Sequence, residues 1–240
     1  MSISTFSTPP ELVLLPGLEG TGRLFQPFLE SWGQRSPVNV VTYPSDLPLG
    51  YDGLEDFIRK LLPDRPHFII AESFSGPLGL RLAMAPPRGL ESVVLVASFS
   101  SKPMRVPVWL AKLVRPLLAR SVAPALALNW ALMDNDTSDA LRASVHEAFA
   151  SAESAVIARR LMEVISTDLR PDIGSIEIPV AYISASRDKL VPERSYADIK
   201  AALPDLHRFG VYGPHLALQQ MPEQCVAAIL EFVARCGTRP

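Results

Sequence analysis

Cysteine is scarce in this chain. Only Cys225 and Cys236 occur in 240 residues, with no Cys-x-x-Cys and no Cys/His cluster at metal-ligand spacing. Both fall in a C-terminal segment of helical period, where eleven residues of helical rise separate them by about 16 Å, beyond disulfide reach. A disulfide framework and a structural zinc site are therefore not expected, and the chain fits a reducing, cytoplasmic compartment. Unbalanced charge is also lacking: 23 Lys+Arg against 25 Asp+Glu leave a net charge of −2. No bulk field draws in nucleic acid or an anionic membrane. Long apolar runs are absent too. The longest apolar region, 106–133, is broken by Lys112, Arg115, Arg120 and three prolines, which a membrane span does not tolerate. The Ser/Thr-rich first ten residues lack the basic and then apolar pattern of a secretory signal.

What is present is a chain 48% hydrophobic, enough for a sizeable core and against extensive disorder. Short apolar runs at 12–15, 38–43, 68–71, 93–97, 180–183 and 207–212 read as strands. Most are continuously apolar, as in strands covered on both faces. Helical stretches near 23–32, 54–62, 74–84, 193–201 and 223–235 alternate with them. This rhythm predicts an α/β fold with a mostly parallel sheet of about six strands, flanked by helices. The rhythm breaks after the fourth strand. From Ser98 to about Pro179 there is no convincing strand, only helical stretches punctuated by Pro103, Pro107, Pro116 and Pro124. The chain is read as a single domain over 1–240, with a helical insertion at 98–169 and a helix returning around 155–165.

The sharpest local feature is Phe68-Ile69-Ile70-Ala71-Glu72-Ser73-Phe74-Ser75-Gly76. A hydrophobic strand runs into a serine with small neighbours, and a helix follows. A nucleophile on such a turn sits in strained backbone and is aimed out of the sheet. The pattern is small-x-Ser-x-small, with Ser75 as the rival nucleophile, although Pro77 two residues on hinders that geometry. Two further motifs follow in order. Ile183-Ser184-Ala185-Ser186-Arg187-Asp188 ends a strand in an acidic turn. Val211-Tyr212-Gly213-Pro214-His215 ends another in a histidine loop. His67, His146 and His207 each have a structural reading: two strand starts and a place in the insertion.

Serine, acid and histidine in this order, each past a strand end, resemble the α/β-hydrolase family. The resemblance covers 11–235. It implies Ser73 as nucleophile, His215 as general base and Asp188 as the acid orienting it. It also implies backbone N–H donors for an oxyanion from Leu18 and Phe74. Leu18 lies in Leu14-Leu15-Pro16-Gly17-Leu18-Glu19-Gly20-Thr21-Gly22, which lacks the lysine of a phosphate loop. Pro16 stands where many members carry histidine, and Ala185 where many carry glycine.

The implied activity is hydrolysis of a carboxylic ester with a small or apolar acyl group through an acyl-enzyme, with no cofactor or metal. A thioesterase or other acyl hydrolase on the same triad stays open, as does a non-catalytic small-molecule receptor. The partner is a small-molecule acyl substrate. The insertion is expected to act as a lid. Its Trp109, Leu110, Leu113, Val114, Leu117, Leu118, Leu126, Leu128, Trp130 and Leu132 either pack it down or line an acyl pocket. Glu72, beside the nucleophile, either bears on the protonation of His215 or lies in a solvated hydrogen bond.

Overall fold

The computed structural model describes residues 10–103, 129 and 131–236. Its centre is a six-stranded, wholly parallel sheet in the order β2-β1-β3-β4-β5-β6. The strands are β1 Glu11–Leu15, β2 Val38–Val40, β3 His67–Glu72, β4 Leu90–Val96, β5 Val180–Ala185 and β6 His207–Val211. The helices are α1 Gln26–Trp32, α2 Tyr51–Arg59, α3 Gly76–Met84, α4 Asp139–Ala150, α5 Ser154–Ser166, α6 Glu193–Ala202, α7 Ala217–Gln220 and α8 Pro222–Cys236.

Strand alternation sorts the core into two layers. Val13, Leu15, Ile69, Ala71, Val93 and Leu95 face one side, where Leu54 and Ile58 of α2, Leu78 and Leu82 of α3 and Ile199 of α6 cover them. Leu12, Leu14, Phe68, Ile70, Val94 and Val96 face the other, under Phe28 and Trp32 of α1 and Cys225, Ile229 and Phe232 of α8. The spacing of those last three places them on one face of α8. Cys225 and Cys236 are both free thiols on that helix.

Continuous burial holds for the inner strands β1 and β3, which are buried at every position. It fails at the two edges. β2 is half-buried throughout, and β6 alternates between half-buried and exposed until Val211, because an edge strand has cover on fewer sides. The run predicted at 38–43 also stops early as a strand. Past Val40 the backbone follows the loop after β1 instead, with the Tyr43 N–H donating to the Gly20 carbonyl at 2.8 Å.

Between β4 and β5 the described residues include α4, α5 and an antiparallel bridge of Ser101 with Asp168. The helix expected at 155–165 is α5, and its Ile157, Leu161 and Val164 line a cavity at the strand ends. Of the apolar residues assigned to the lid, Leu132 is buried. Trp109, Leu110, Leu113, Val114, Leu117, Leu118, Leu126, Leu128 and Trp130 lie outside the described residues. No helix among the described residues is long and apolar enough to cross a membrane.

Candidate active site

Parallel pairing brings the C-terminal ends of all six strands to one edge, where ligands of open α/β sheets bind. Leu15 of β1 pairs with Ala71 of β3, so the loop carrying Leu18 and the turn carrying Ser73 leave the sheet side by side. β5 pairs with β6 through Ala185 and Val211. Past that pair the Ser186 N–H donates to the Val211 carbonyl and the Arg187 N–H to the Gly213 carbonyl. These two bonds hold the acid turn against the histidine loop.

The turn after β3 has the strain expected of it. Ser73 has φ 49°, the left-handed region that non-glycine residues rarely occupy. Close packing keeps it there. The Ser98 hydroxyl donates to the Ser73 carbonyl at 2.6 Å, and the Tyr51 hydroxyl to the Phe74 carbonyl at 2.9 Å. Gly76 opens α3 against Ser98, and a Cβ at that position would fall 1.6 Å from Ser98 Oγ.

The predicted acid, base and serine come together. His215 Nδ1 lies 2.8 Å from Asp188 Oδ2 and His215 Nε2 lies 2.7 Å from Ser73 Oγ. A carboxylate only accepts, so the proton sits on Nδ1, and Nε2 accepts from the Ser73 hydroxyl. Asp188 is itself fixed, since its Oδ1 accepts from the N–H groups of Leu190 and Val191 at 2.8 and 2.9 Å. The histidine and aspartate side chains are both nearly fully buried.

Ser75 has a different place. It is fully buried, donates to the Pro16 carbonyl and meets the Tyr43 hydroxyl at 2.6 Å. The other three histidines also lie apart from the triad. His67 is buried at the start of β3, His146 meets Asn129 in the insertion, and His207 packs on Phe232.

The loop after β1 is held from three sides. Ser75 takes the Pro16 carbonyl, Tyr43 takes that of Gly20, and Arg160 of α5 reaches in from the insertion. Arg160 Nη1 donates to the Leu18 and Glu19 carbonyls, both at 2.9 Å, and Nη2 donates to the Pro44 carbonyl at 3.0 Å. Gly20 has φ 76°, and a Cβ on it would strike the guanidinium at 2.4 Å. Among the described residues the Leu18 N–H has no acceptor. The Phe74 N–H belongs to the first turn after β3, whose N–H groups find no partner within a helix.

A cavity of about 310 Å³ opens over Ser73 and His215. Its walls are mostly apolar: Leu18, Leu24 and Phe74 from the core, Leu132, Phe149, Ile157, Leu161 and Val164 from the insertion. Besides Ser73 and His215, the polar exceptions are Glu19, Glu72 and Ser154. A second hollow of about 550 Å³ lies past Asp188 among Tyr182, Tyr196 and Arg208, and Ser73 and His215 do not line it. No group of three or more His, Cys, Asp or Glu among the described residues is placed to hold a metal ion.

Glu72 is not in a solvated hydrogen bond. It is buried, its Oε2 accepts from Gln219 Nε2 at 3.2 Å, and its Oε1 has no partner. Burial pushes its carboxyl up to about 8, the charge of Glu19 adds to the rise, and the Gln219 amide opposes it. Glu19 is also raised by burial, against the pull of the Glu19, Gly20 and Gly22 N–H groups and of Arg160. Sequence reading passes over Arg160, Glu19 and Gln219. Arg160 did leave a trace, since Val156, Arg160 and Val164 share one helical face, where a charge among apolar residues is out of place.

The alpha/beta hydrolase family sequence pattern matches residues 12–228. The chain belongs to this family. A Serratia proteamaculans protein named "Putative carbamate hydrolase RutD" is 26% identical over 222 residues, covering 82% of this chain and 80% of its own. The enol-lactonase of Burkholderia xenovorans LB400 superposes with a TM-score of 0.82 at 16% identity, over 97% of this chain and 94% of that one. The esterase of Exiguobacterium antarcticum gives a TM-score of 0.82 at 10% identity, over 95% and 93%. At such identities the structural likeness establishes the α/β-hydrolase fold, and substrate choice has to be argued from the site.

Proposed function

We propose that this chain is a serine hydrolase that cleaves carboxylic esters of apolar acyl groups through an acyl-enzyme. The observation that carries this reading is His215 standing between Ser73 and Asp188 at hydrogen-bond distance from each. Ser73 attacks the carbonyl as His215 takes its proton, and Asp188 holds the tautomer and stabilises the imidazolium. The N–H groups of Leu18 and Phe74 receive the oxyanion, where one such donor is typically worth about 100- to 1,000-fold in rate. Collapse releases the alcohol, protonated by His215, and water then repeats the sequence on the acyl-enzyme.

The apolar acyl group is inferred from the cavity walls. Residues 98–169 serve as a lid within the single domain, and three ties support this. Arg160 grips the Leu18 loop, the Leu216 N–H donates to the Leu132 carbonyl, and Arg187 beside Asp188 pairs with Asp134 at 2.5 Å. A thioester offers the same carbonyl to the same serine and is the alternative substrate. The name of the Serratia relative adds a carbamate to the test.

Purified protein treated with a fluorophosphonate probe is expected to gain one adduct by intact mass, lost in Ser73→Ala and His215→Ala. Ester, thioester and carbamate panels of graded acyl length then rank the substrates, with the longer apolar esters expected first. Absence of an adduct on folded protein sinks the hydrolytic reading and favours a receptor built on the same pocket.

A further inference from the structure

Two carboxyl groups line one mostly apolar cavity. Glu19 Oε2 and Glu72 Oε2 lie 3.1 and 3.9 Å from the point where a Cβ on Gly17 would stand. Gly17 immediately precedes Leu18. Both side chains are buried, and neither forms an ion pair among the described residues. Two negative charges this close, out of water, do not both persist, so one carboxyl keeps its proton.

Their surroundings decide which one. The Glu19 carboxylate accepts from the Thr21 hydroxyl at 3.5 Å, and the pull of the nearby Glu19, Gly20 and Gly22 N–H groups and of the Arg160 guanidinium favours its ionised form. Glu72 is met by one side-chain amide, that of Gln219. The other titratable groups around Glu72 supply no cation bonded to it: Ser73 and His215 on the cavity side, and Cys225 from α8. Cys225 feels Glu72, whose charge adds to the burial that pushes the thiol up to about 12. The proton therefore belongs on Glu72. In the Glu72–Gln219 pair, Oε1 of each residue is buried without a partner.

We propose that Glu72 is a positioning residue that must be a neutral acid for Ser73 to react, so that losing its proton shuts the site on the alkaline side. This rests on the reading of Ser73 as nucleophile and of Leu18 and Phe74 as oxyanion donors. An ionised Glu72 places an unscreened negative charge beside the Gly17–Leu18 peptide, where the substrate oxygen gathers negative charge. In a dry cavity that opposition is strong. Glu19 beside the same peptide has the Arg160 guanidinium to balance its charge, and a neutral Glu72 adds no second, unbalanced charge to it.

The test is the rate of fluorophosphonate adduct formation from about pH 6 to about pH 10, read by intact mass. The proteins are the wild type, Glu72→Gln, Glu19→Gln, Gln219→Leu and Ser73→Ala. The wild-type rate is expected to fall about tenfold per pH unit beyond an alkaline midpoint, and Glu72→Gln to lack that fall. Glu19→Gln removes a charge that disfavours ionisation, so its midpoint moves to lower pH. Gln219→Leu removes the donor that favours ionisation, so its midpoint moves to higher pH. Opposite shifts from two flanking substitutions are not a consequence of loosened packing, and they carry the test if Glu72→Gln fails to fold. A wild type without the fall, a Glu72→Gln variant that keeps it, or two midpoints moving the same way overturns the proposal while the serine reading stands. No adduct on the wild type at any pH, or one retained in Ser73→Ala, takes both down.

Discussion

Arg160 donates to the carbonyl of Leu18 at 2.9 Å across 142 positions of sequence, tying the insertion to the loop proposed to stabilise the oxyanion. The same guanidinium takes the carbonyls of Glu19 and Pro44 and lies over the Tyr43 ring. Arg160 does not line the cavity over Ser73, so its bearing on the proposed reaction would run through backbone geometry.

Replacing Arg160 is therefore expected to lower kcat more than it raises KM. Arg160→Ala leaves three carbonyls without their donor. At about 1–3 kcal/mol for each buried unsatisfied group, it is expected to destabilise the fold by several kcal/mol. Arg160→Lys keeps the charge but loses the planar fork. It should fold and show kcat reduced about 10- to 100-fold, in the range of a displaced oxyanion donor. Steady-state kinetics on one ester, beside urea unfolding, separates the two effects. A rise in KM with kcat intact would mean that Arg160 only shapes the pocket.

Ser73 and Ser75 make a contrasting pair. Ser75 is bonded to the Pro16 carbonyl and the Tyr43 hydroxyl beneath the loop, so its hydroxyl is structural. Ser75→Ala should keep its fluorophosphonate adduct and lose about 1–3 kcal/mol of stability, the cost of stranding a buried partner. Ser73→Ala should lose the adduct with little change in stability. Intact mass and thermal melts of both variants check this. Loss of the adduct in Ser75→Ala, at unchanged stability, would reverse the assignment.

What was legible in the sequence divides along a physical line. Ser73, Asp188 and His215 each lie in a short local motif at a strand end, and parallel pairing alone brings those ends together. The inner strands could be read because burial on both faces leaves an unbroken apolar run. Val41–Tyr43 misled as strand because Val41 and Tyr43 are buried in the same core layer as the strand residues Leu15, Ile69 and Ala71. Glu19, Arg160 and Gln219 were passed over because their roles lie in contacts 116 or more positions distant in sequence. A lone arginine in a helix ordinarily faces solvent. The solvated reading of Glu72 failed for the same reason, since nothing local reveals that Gln219 and Glu19 close over it.

Gly76 tests how tightly the strained turn is held. A methyl group there collides with Ser98, whose hydroxyl caps the Ser73 carbonyl. Gly76→Ala is expected to cost several kcal/mol or to prevent folding, since overpacking alone typically costs about 1–3 kcal/mol and the Ser98 bond is lost with it. Pairing it with Ser98→Gly removes the colliding atoms. The double variant should be more stable than Gly76→Ala while still reacting more slowly than the wild type. If Ser98→Gly fails to rescue Gly76→Ala, the close approach is not what fixes glycine at this place.

The buried acid also predicts how stability follows pH. Glu72 titrates at about 8 in the folded chain against an ordinary 4.5, so the folded state holds a proton that the unfolded state has released. Between those limits the folded chain binds more protons, and raising the pH favours unfolding. The contribution is fully present below about 4.5 and lost by about 8, with a slope of at most about 1.4 kcal/mol per pH unit. Glu19, raised in the same direction, adds to the fall. Glu72→Gln has no proton to lose there, so its stability relative to wild type should improve steadily as the pH rises from about 5 to about 8. Urea unfolding of the two proteins across that range measures the difference directly. Parallel curves would mean that Glu72 is ionised in the folded protein and that water or an unrecognised cation reaches it.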